Sequence, residues 1–261
     1  MTDTITTEQR GPVLLVTLNR PKANAIDCQT SRALYSVFSA FQKNPALRVA
    51  ILTGSGSRFF SAGWDLKAAA EGEAVDADHG PGGFAGLTEY FDLTKPVIGA
   101  INGMAVGGGF ELALACDLLV AAEHTQFFLP EVQIGIAPDS GGVFRLPKRL
   151  PRVLAMEMLL TGKRLSAREA QMWGVVNNVV PSDQLLFTAW KLAETLCTGA
   201  PLAQQAIKEL VNQSEGLNIE DAFSMQRHGD LDSYQKMLAS EDAKEGIRAF
   251  NEARQPIWHG A

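Results

Sequence analysis

The chain has 261 residues, 46% of them hydrophobic, which is enough to bury the core of one large domain or of a domain with a smaller appendage, and too apolar for a disordered polymer. Its net charge of −6 argues against nucleic acid or an anionic membrane as the main partner and favours a small-molecule substrate. Three cysteines, Cys28, Cys116 and Cys197, show no CxxC spacing, so a disulfide framework or zinc knuckle is not expected and a reducing cytoplasm is. The amino terminus has no basic or apolar signal region, and the most apolar stretch, 112–122, is interrupted by Asp117, so neither secretion nor a membrane span is expected.

In chain order, Val13–Leu18 and Val49–Thr53 are short aliphatic runs bounded by Gly, Pro and Asn, the pattern of buried strands. Between them, 30–43 carries Leu34, Val37, Phe38 and Phe41 at helical spacing, and Pro45 closes it. The segment 70–86, with five glycines and several acids, is the best loop candidate and has the texture of a substrate-covering lid. A strand at 96–101 and a helix from Gly107 repeat the alternation, and 118–121, 127–128 and 175–180 add further strands. This order predicts an α/β fold. After Ser182 only helical patterns follow, at 184–197, 202–212, 219–238 and 241–253. The expected organisation is a core over 1–198 and a helical capping or oligomerisation region over 199–261.

Two glutamates stand out. Glu111 ends Gly107-Gly108-Gly109-Phe110-Glu111, and Glu131 follows Leu129-Pro130; both lie in apolar stretches, where a carboxylate must pair or shift its pKa. Glycines at a strand-to-helix turn let backbone N–H groups point at a ligand oxygen, so the pattern suggests an acid/base pair beside an oxyanion hole. Gly63-Trp64-Asp65 reads either as a turn with Asp65 capping the next helix or as a backbone donor at Trp64. Metal and serine chemistry find no motif. His79, His124, His228 and His259 are too scattered for HExxH, no GxSxG occurs, and Ser140-Gly141-Gly142 reads as a helix start.

These pieces occur together in the order of one family. Through Ser61-Ala62-Gly63-Trp64-Asp65-Leu66, then 95–103 running into Gly107–Asp117, then Phe128-Leu129-Pro130-Glu131, Gly135 and Gly141-Gly142, the chain resembles the enoyl-CoA hydratase/isomerase, or crotonase, superfamily. Runs 20–27, 60–74, 80–89 and 138–143 are most similar to the branch acting on the crotonobetainyl/carnitinyl thioester pair. The resemblance implies a spiral core of ββα units and a hydro-lyase adding water to an enoyl-CoA. It also implies a homotrimer or dimer of trimers, with coenzyme A as part of the substrate and no separate cofactor. Amides matching Trp64 and Gly108 would hold the thioester oxygen, with Glu111 and Glu131 catalytic. Backbone at Ala62 and Leu66 and the Lys67 side chain would contact coenzyme A; Lys67 reads equally well as a solvated helix lysine. Ala253 stands where members carry a lysine, leaving Arg254 as the basic candidate near the carboxyl terminus.

Asp139 stands where ordinary short-chain hydratases have glycine. It reads either as a third carboxylate facing a cationic acyl group or as a helix N-cap. With such a cation, Trp64, Phe84 and Tyr90 are candidate π faces; otherwise they simply line the lid. The alternatives to the carnitine branch are a generic short-chain enoyl-CoA hydratase, an isomerase, or a non-catalytic acyl-CoA- or RNA-binding member of the fold.

Overall fold

The computed structural model describes residues 4–260. Strand β1 (Ile5–Arg10) pairs antiparallel with β2 (Val13–Leu18), after which α1 (Cys28–Lys43) leads to β3 (Val49–Gly54), β4 (Phe59–Ser61) and the short α2 (Leu66–Ala70). Strands β5 (Val97–Ile101) and β6 (Met104–Val106) precede α3 (Gly108–Ala115), and β7 (Leu118–Ala122) and β8 (Gln126–Phe128) precede α4 (Gly142–Arg149) and α5 (Arg152–Thr161). Then come β9 (Leu165–Ser166), α6 (Ala167–Met172), β10 (Asn178–Val180), α7 (Leu185–Cys197), α8 (Pro201–Ser214), α9 (Ile219–His228), α10 (Asp232–Ala239) and α11 (Glu241–Asn251).

After the β1–β2 hairpin, the successive pairs β3–β4, β5–β6 and β7–β8 each send their first strand to a six-stranded sheet and their second to a four-stranded one. The six-stranded sheet runs β1-β2-β3-β5-β7-β10, parallel from β2 onward, and the four-stranded sheet runs β4-β6-β8-β9. Repetition of strand, strand, helix therefore winds the chain into the spiral of ββα units that the resemblance implies. The central parallel strands β3 and β5 are buried along their whole length because both sheet faces are covered. Leu14, Val16 and Leu52 face the main core with Phe60, Phe110 and Phe127, while Val13, Leu15, Ile51 and Ile98 face Leu185, Ala189 and Ala193 of α7.

Helix α1 starts where Asp27 accepts the Thr30 N–H at 2.7 Å, two residues earlier than the periodicity predicts, and it buries Leu34, Phe38 and Phe41. At its far end the buried Lys95 ammonium donates to the carbonyls of Phe41 and Asn44. The helical tail is tied to the core at several points. Lys208 on α8 pairs with Asp117 at 2.7 Å, and Arg48 donates to the carbonyls of Cys197 and Gly199. Within the tail, Glu209 on α8 accepts the amides of Ser233 and Tyr234 at the start of α10.

Several expectations need correction. The single helix expected over 219–238 is two, because the chain turns extended at Gly229. The strand expected over 175–180 is confined to Asn178–Val180, since Val175 and Val176 close the turn after α6 by donating to the Ala170 carbonyl. Asp139 is not a helix cap: α4 begins at Gly142 after Gly141, whose φ of 111° needs no side chain, and no side-chain cap bond is made there.

Candidate active site

Residues 107–111 build one wall. Gly107, at φ 53°, donates to the Phe128 carbonyl and turns the chain from β6 into α3. All residues of α3 but the last are buried, so Glu111 is carried into the interior on its first turn. Glu131 is carried on a 3₁₀ turn, Glu131–Ile134, that follows β8. A Cβ on Gly107 would strike Glu131 Oε1, so the glycine is the space the second carboxylate occupies.

Both carboxyls are only a few per cent exposed and face a single cavity of about 350 Å³. Burial pushes Glu111 up to about 8, with the charges of Glu131 and Asp139 adding to it, and pushes Glu131 up to about 7, again with help from Asp139. The hydrogen bonds order the pair differently. Glu111 Oε1 accepts the Gly142 amide at 2.7 Å, a bond that favours the ionised form, whereas Glu131 Oε2 is buried with no hydrogen-bond partner, a state that favours a proton. Burial opposes ionisation of both groups, and the Gly142 amide gives Glu111 alone a bond that stabilises its carboxylate.

Trp64 and Gly108 come together through close backbone approach. Ile26 donates to the Gly63 carbonyl and Asp65 donates back to Ile26, which fixes Trp64 in an isolated bridge, and a Cβ on Gly63 would lie 2.7 Å from the Gly108 nitrogen. Among the described residues, neither the Trp64 nor the Gly108 amide donates a backbone hydrogen bond. Both residues line the cavity. Two unengaged amides and two carboxyls around one cavity suit a reaction that builds charge on a carbonyl oxygen while protons move at neighbouring atoms.

The other expected residues divide. Phe84 and Asp139 line the same cavity, Phe84 packed against Gly108 and Asp139 exposed at the rim. Tyr90 does not line it; its ring packs edge-on against Tyr35, 5.1 Å between centroids. Asp65 caps α2 by accepting the Lys67 amide and pairs with Arg20, as the capping reading expects. Ala62, Leu66 and Lys67 lie outside the cavity lining; the Ala62 amide is spent on the Ala23 carbonyl, and Leu66 and Lys67 are exposed on α2. Arg254 is held by both oxygens of Glu245, at 2.5 and 2.9 Å, and by Glu252, which ties its guanidinium into the carboxyl-terminal segment.

Sequence reasoning missed the Gly142 amide as a partner of Glu111, and also Asp76, Asp78, His79 and Glu89 in the lining. Asp76, Asp78 and His79 were signalled only as members of the acidic, glycine-rich loop read as a lid, and Glu89 only as the last residue of run 80–89.

The model of the enoyl-CoA hydratase/isomerase family matches residues 8–261. The chain belongs to that family. It is 56% identical over 260 residues to a carnitinyl-CoA dehydratase of Salmonella typhimurium, with 100% of each chain covered. Among solved structures it is similar to an enoyl-CoA hydratase from Mycobacterium tuberculosis, with TM-score 0.90, 42% identity and 99% of each chain covered. It is also similar to a carnitinyl-CoA hydratase from Mycobacterium avium, with TM-score 0.78, 40% identity and 99% of each chain covered. With the family comes the reaction class: the chain is a hydro-lyase that hydrates and dehydrates acyl-CoA thioesters.

Proposed function

We propose that this enzyme interconverts crotonobetainyl-CoA and carnitinyl-CoA, with Glu111 and Glu131 as the acid/base pair and the Trp64 and Gly108 amides as the oxyanion hole. The observation that carries the chemistry is the convergence of two buried carboxyls and two unengaged amides on one cavity. In hydration, Glu111 takes a proton from water as its oxygen adds to the β carbon. Charge moves to the thioester oxygen, where each amide donor contributes about 3 kcal/mol of transition-state stabilisation. Glu131 then delivers its proton to the α carbon, and dehydration retraces these steps.

The choice of acyl group rests on the cavity rim and on the 56% identity to a carnitinyl-CoA dehydratase. Asp76, Glu89 and Asp139 line the cavity and take part in no ion pair among the described residues, while Trp64 and Phe84 offer π faces. A quaternary ammonium cannot shed its charge, so carboxylates and rings must offset its lost hydration. Expected, therefore, is a kcat/KM for crotonobetainyl-CoA at least about tenfold above that for crotonyl-CoA, about 1.4 kcal/mol in transition-state binding, with Asp139→Gly shrinking the ratio. Parallel steady-state assays decide it: equal or better turnover of crotonyl-CoA replaces this reading with that of a generic hydratase.

The same reading makes the protein a cytoplasmic homotrimer or dimer of trimers, its helices after residue 198 serving as the capping and oligomerisation region. Among the described residues no helix is long and apolar enough to cross a membrane. Phe144 on α4, Val153 on α5, Ile219 on α9 and Phe250 on α11 are 67–85% exposed, apolar area of the kind that subunit contacts cover. Sedimentation at micromolar concentration is expected to give a trimer or hexamer; a stable monomer overturns the assignment.

A further inference from the structure

The four histidines fit no metal motif in the sequence, yet the fold brings one of them to a cysteine and a glutamate at the edge of the cavity. Cys28 is the first residue of α1, and Glu73 and His79 lie on the 70–86 loop. One donor atom from each lies within 4.8 Å of the other two, and Cys28 Sγ is 4.0 Å from His79 Nε2. All three residues are half-buried.

Two of the three donors, Glu73 and His79, are already oriented by a second bond. Glu73 Oε2 accepts the Cys28 backbone N–H at 3.0 Å, and Glu73 Oε1 accepts the Trp64 indole N–H at 2.8 Å. His79 Nδ1 lies 2.9 Å from Ser31 Oγ, whose other contact is the Ala85 amide at 3.0 Å. The serine oxygen keeps a lone pair for Nδ1–H, the tautomer that turns the Nε2 lone pair towards Cys28. The histidine ring also packs edge-on against Phe84, 5.1 Å between centroids.

We propose that Cys28 Sγ, Glu73 and His79 Nε2 form a binding site for a thiophilic divalent cation of the zinc type, which clamps the lid loop onto α1. A tetrahedral zinc with bonds of about 2.0–2.3 Å holds its ligands roughly 3.5 Å apart, so the donors need close only slightly. Thiolate, carboxylate and neutral imidazole balance the two positive charges, the thiol proton passing to solvent as the Zn–S bond forms. The fourth position is left to water, as at other three-ligand sites. Because Glu73 also holds the Trp64 indole and His79 lines the acyl cavity, the clamp stiffens the entrance through which substrate passes, and occupancy slows turnover.

The test uses purified full-length protein with Co²⁺ as a spectroscopic stand-in and Zn²⁺ as competitor. Expected is a sulfur-to-cobalt charge-transfer band at one equivalent, bleached by Zn²⁺, and zinc inhibition of the hydratase. Cys28→Ser should abolish the band, weaken zinc binding at least about tenfold and relieve inhibition while leaving metal-free activity and circular dichroism unchanged. Cys197→Ser should change none of these. A missing band, or one that survives Cys28→Ser, overturns the site; zinc binding without inhibition overturns the clamp. The cobalt spectrum needs no turnover, so it reads the site even if the proposed substrate is wrong.

Discussion

Glu111→Gln and Glu131→Gln are each expected to lower the hydration rate at least about a hundredfold while leaving acyl-CoA affinity largely intact. A positioned acid or base contributes on the order of 10²–10⁴. Glutamine keeps the volume of each buried side chain and removes only its proton chemistry, so a folding defect does not confuse the reading. The pH profile tests the division of roles. Activity should fall in acid as the base is protonated and in alkali as the acid ionises, giving a bell whose limbs belong to the coupled pair. Burial raises both groups towards neutrality, to about 8 for Glu111 and about 7 for Glu131, so the bell should be centred near there. If Glu111 is the base in hydration, residual activity of Glu131→Gln keeps the acid limb and loses the alkaline one, and Glu111→Gln does the reverse. The opposite pattern exchanges the two residues; near-normal turnover in either variant removes that residue from the mechanism.

What the sequence made legible were features whose cause is local. Leu34, Val37, Phe38 and Phe41 at helical spacing and the closing Pro45 mark the body of α1, aliphatic runs mark β2, β3, β5 and β7, and three glycines before a glutamate mark the start of α3. The strands β4, β6 and β9 are two or three residues long, too short for any period to register, yet they form most of the second sheet. Helices α5 and α6 also went unread. Helix α5 keeps Val153 and Leu160 exposed beside its buried Ala155 and Met158, which blurs the apolar face that marks a helix in sequence. In the site, the glutamates were legible because a carboxylate in an apolar run is expensive. The bond from Gly142 to Glu111 spans 31 residues and uses a backbone amide, so no side chain announces it. The junction of Cys28, Glu73 and His79 spans 51 residues and exists only once the loop has folded over α1.

Gly63→Ala is expected to cost at least about a hundredfold in kcat, the loss associated with removing one oxyanion donor. Gly63 has φ 79°, and an added Cβ would lie 2.7 Å from both the Gly108 nitrogen and the Val106 carbonyl oxygen. Both obstacles are backbone, so relief requires the two loops to part, and those loops carry the Trp64 and Gly108 amides. Backbone strain alone must be separated from this displacement. Gly174 supplies the control, because it has the same φ of 79° with nothing within 4 Å of an added Cβ. Gly174→Ala should bear only the conformational cost of a left-handed alanine, about 1–2 kcal/mol, seen as a lower melting temperature with unchanged kcat. Gly63→Ala should show a larger thermal loss, since parting the two loops adds to the same conformational cost, together with the catalytic one, while Glu111 and Glu131 remain in place. If the two alanine variants turn over alike, the approach of Gly63 to Gly108 is a packing feature and the thioester oxygen must be held elsewhere.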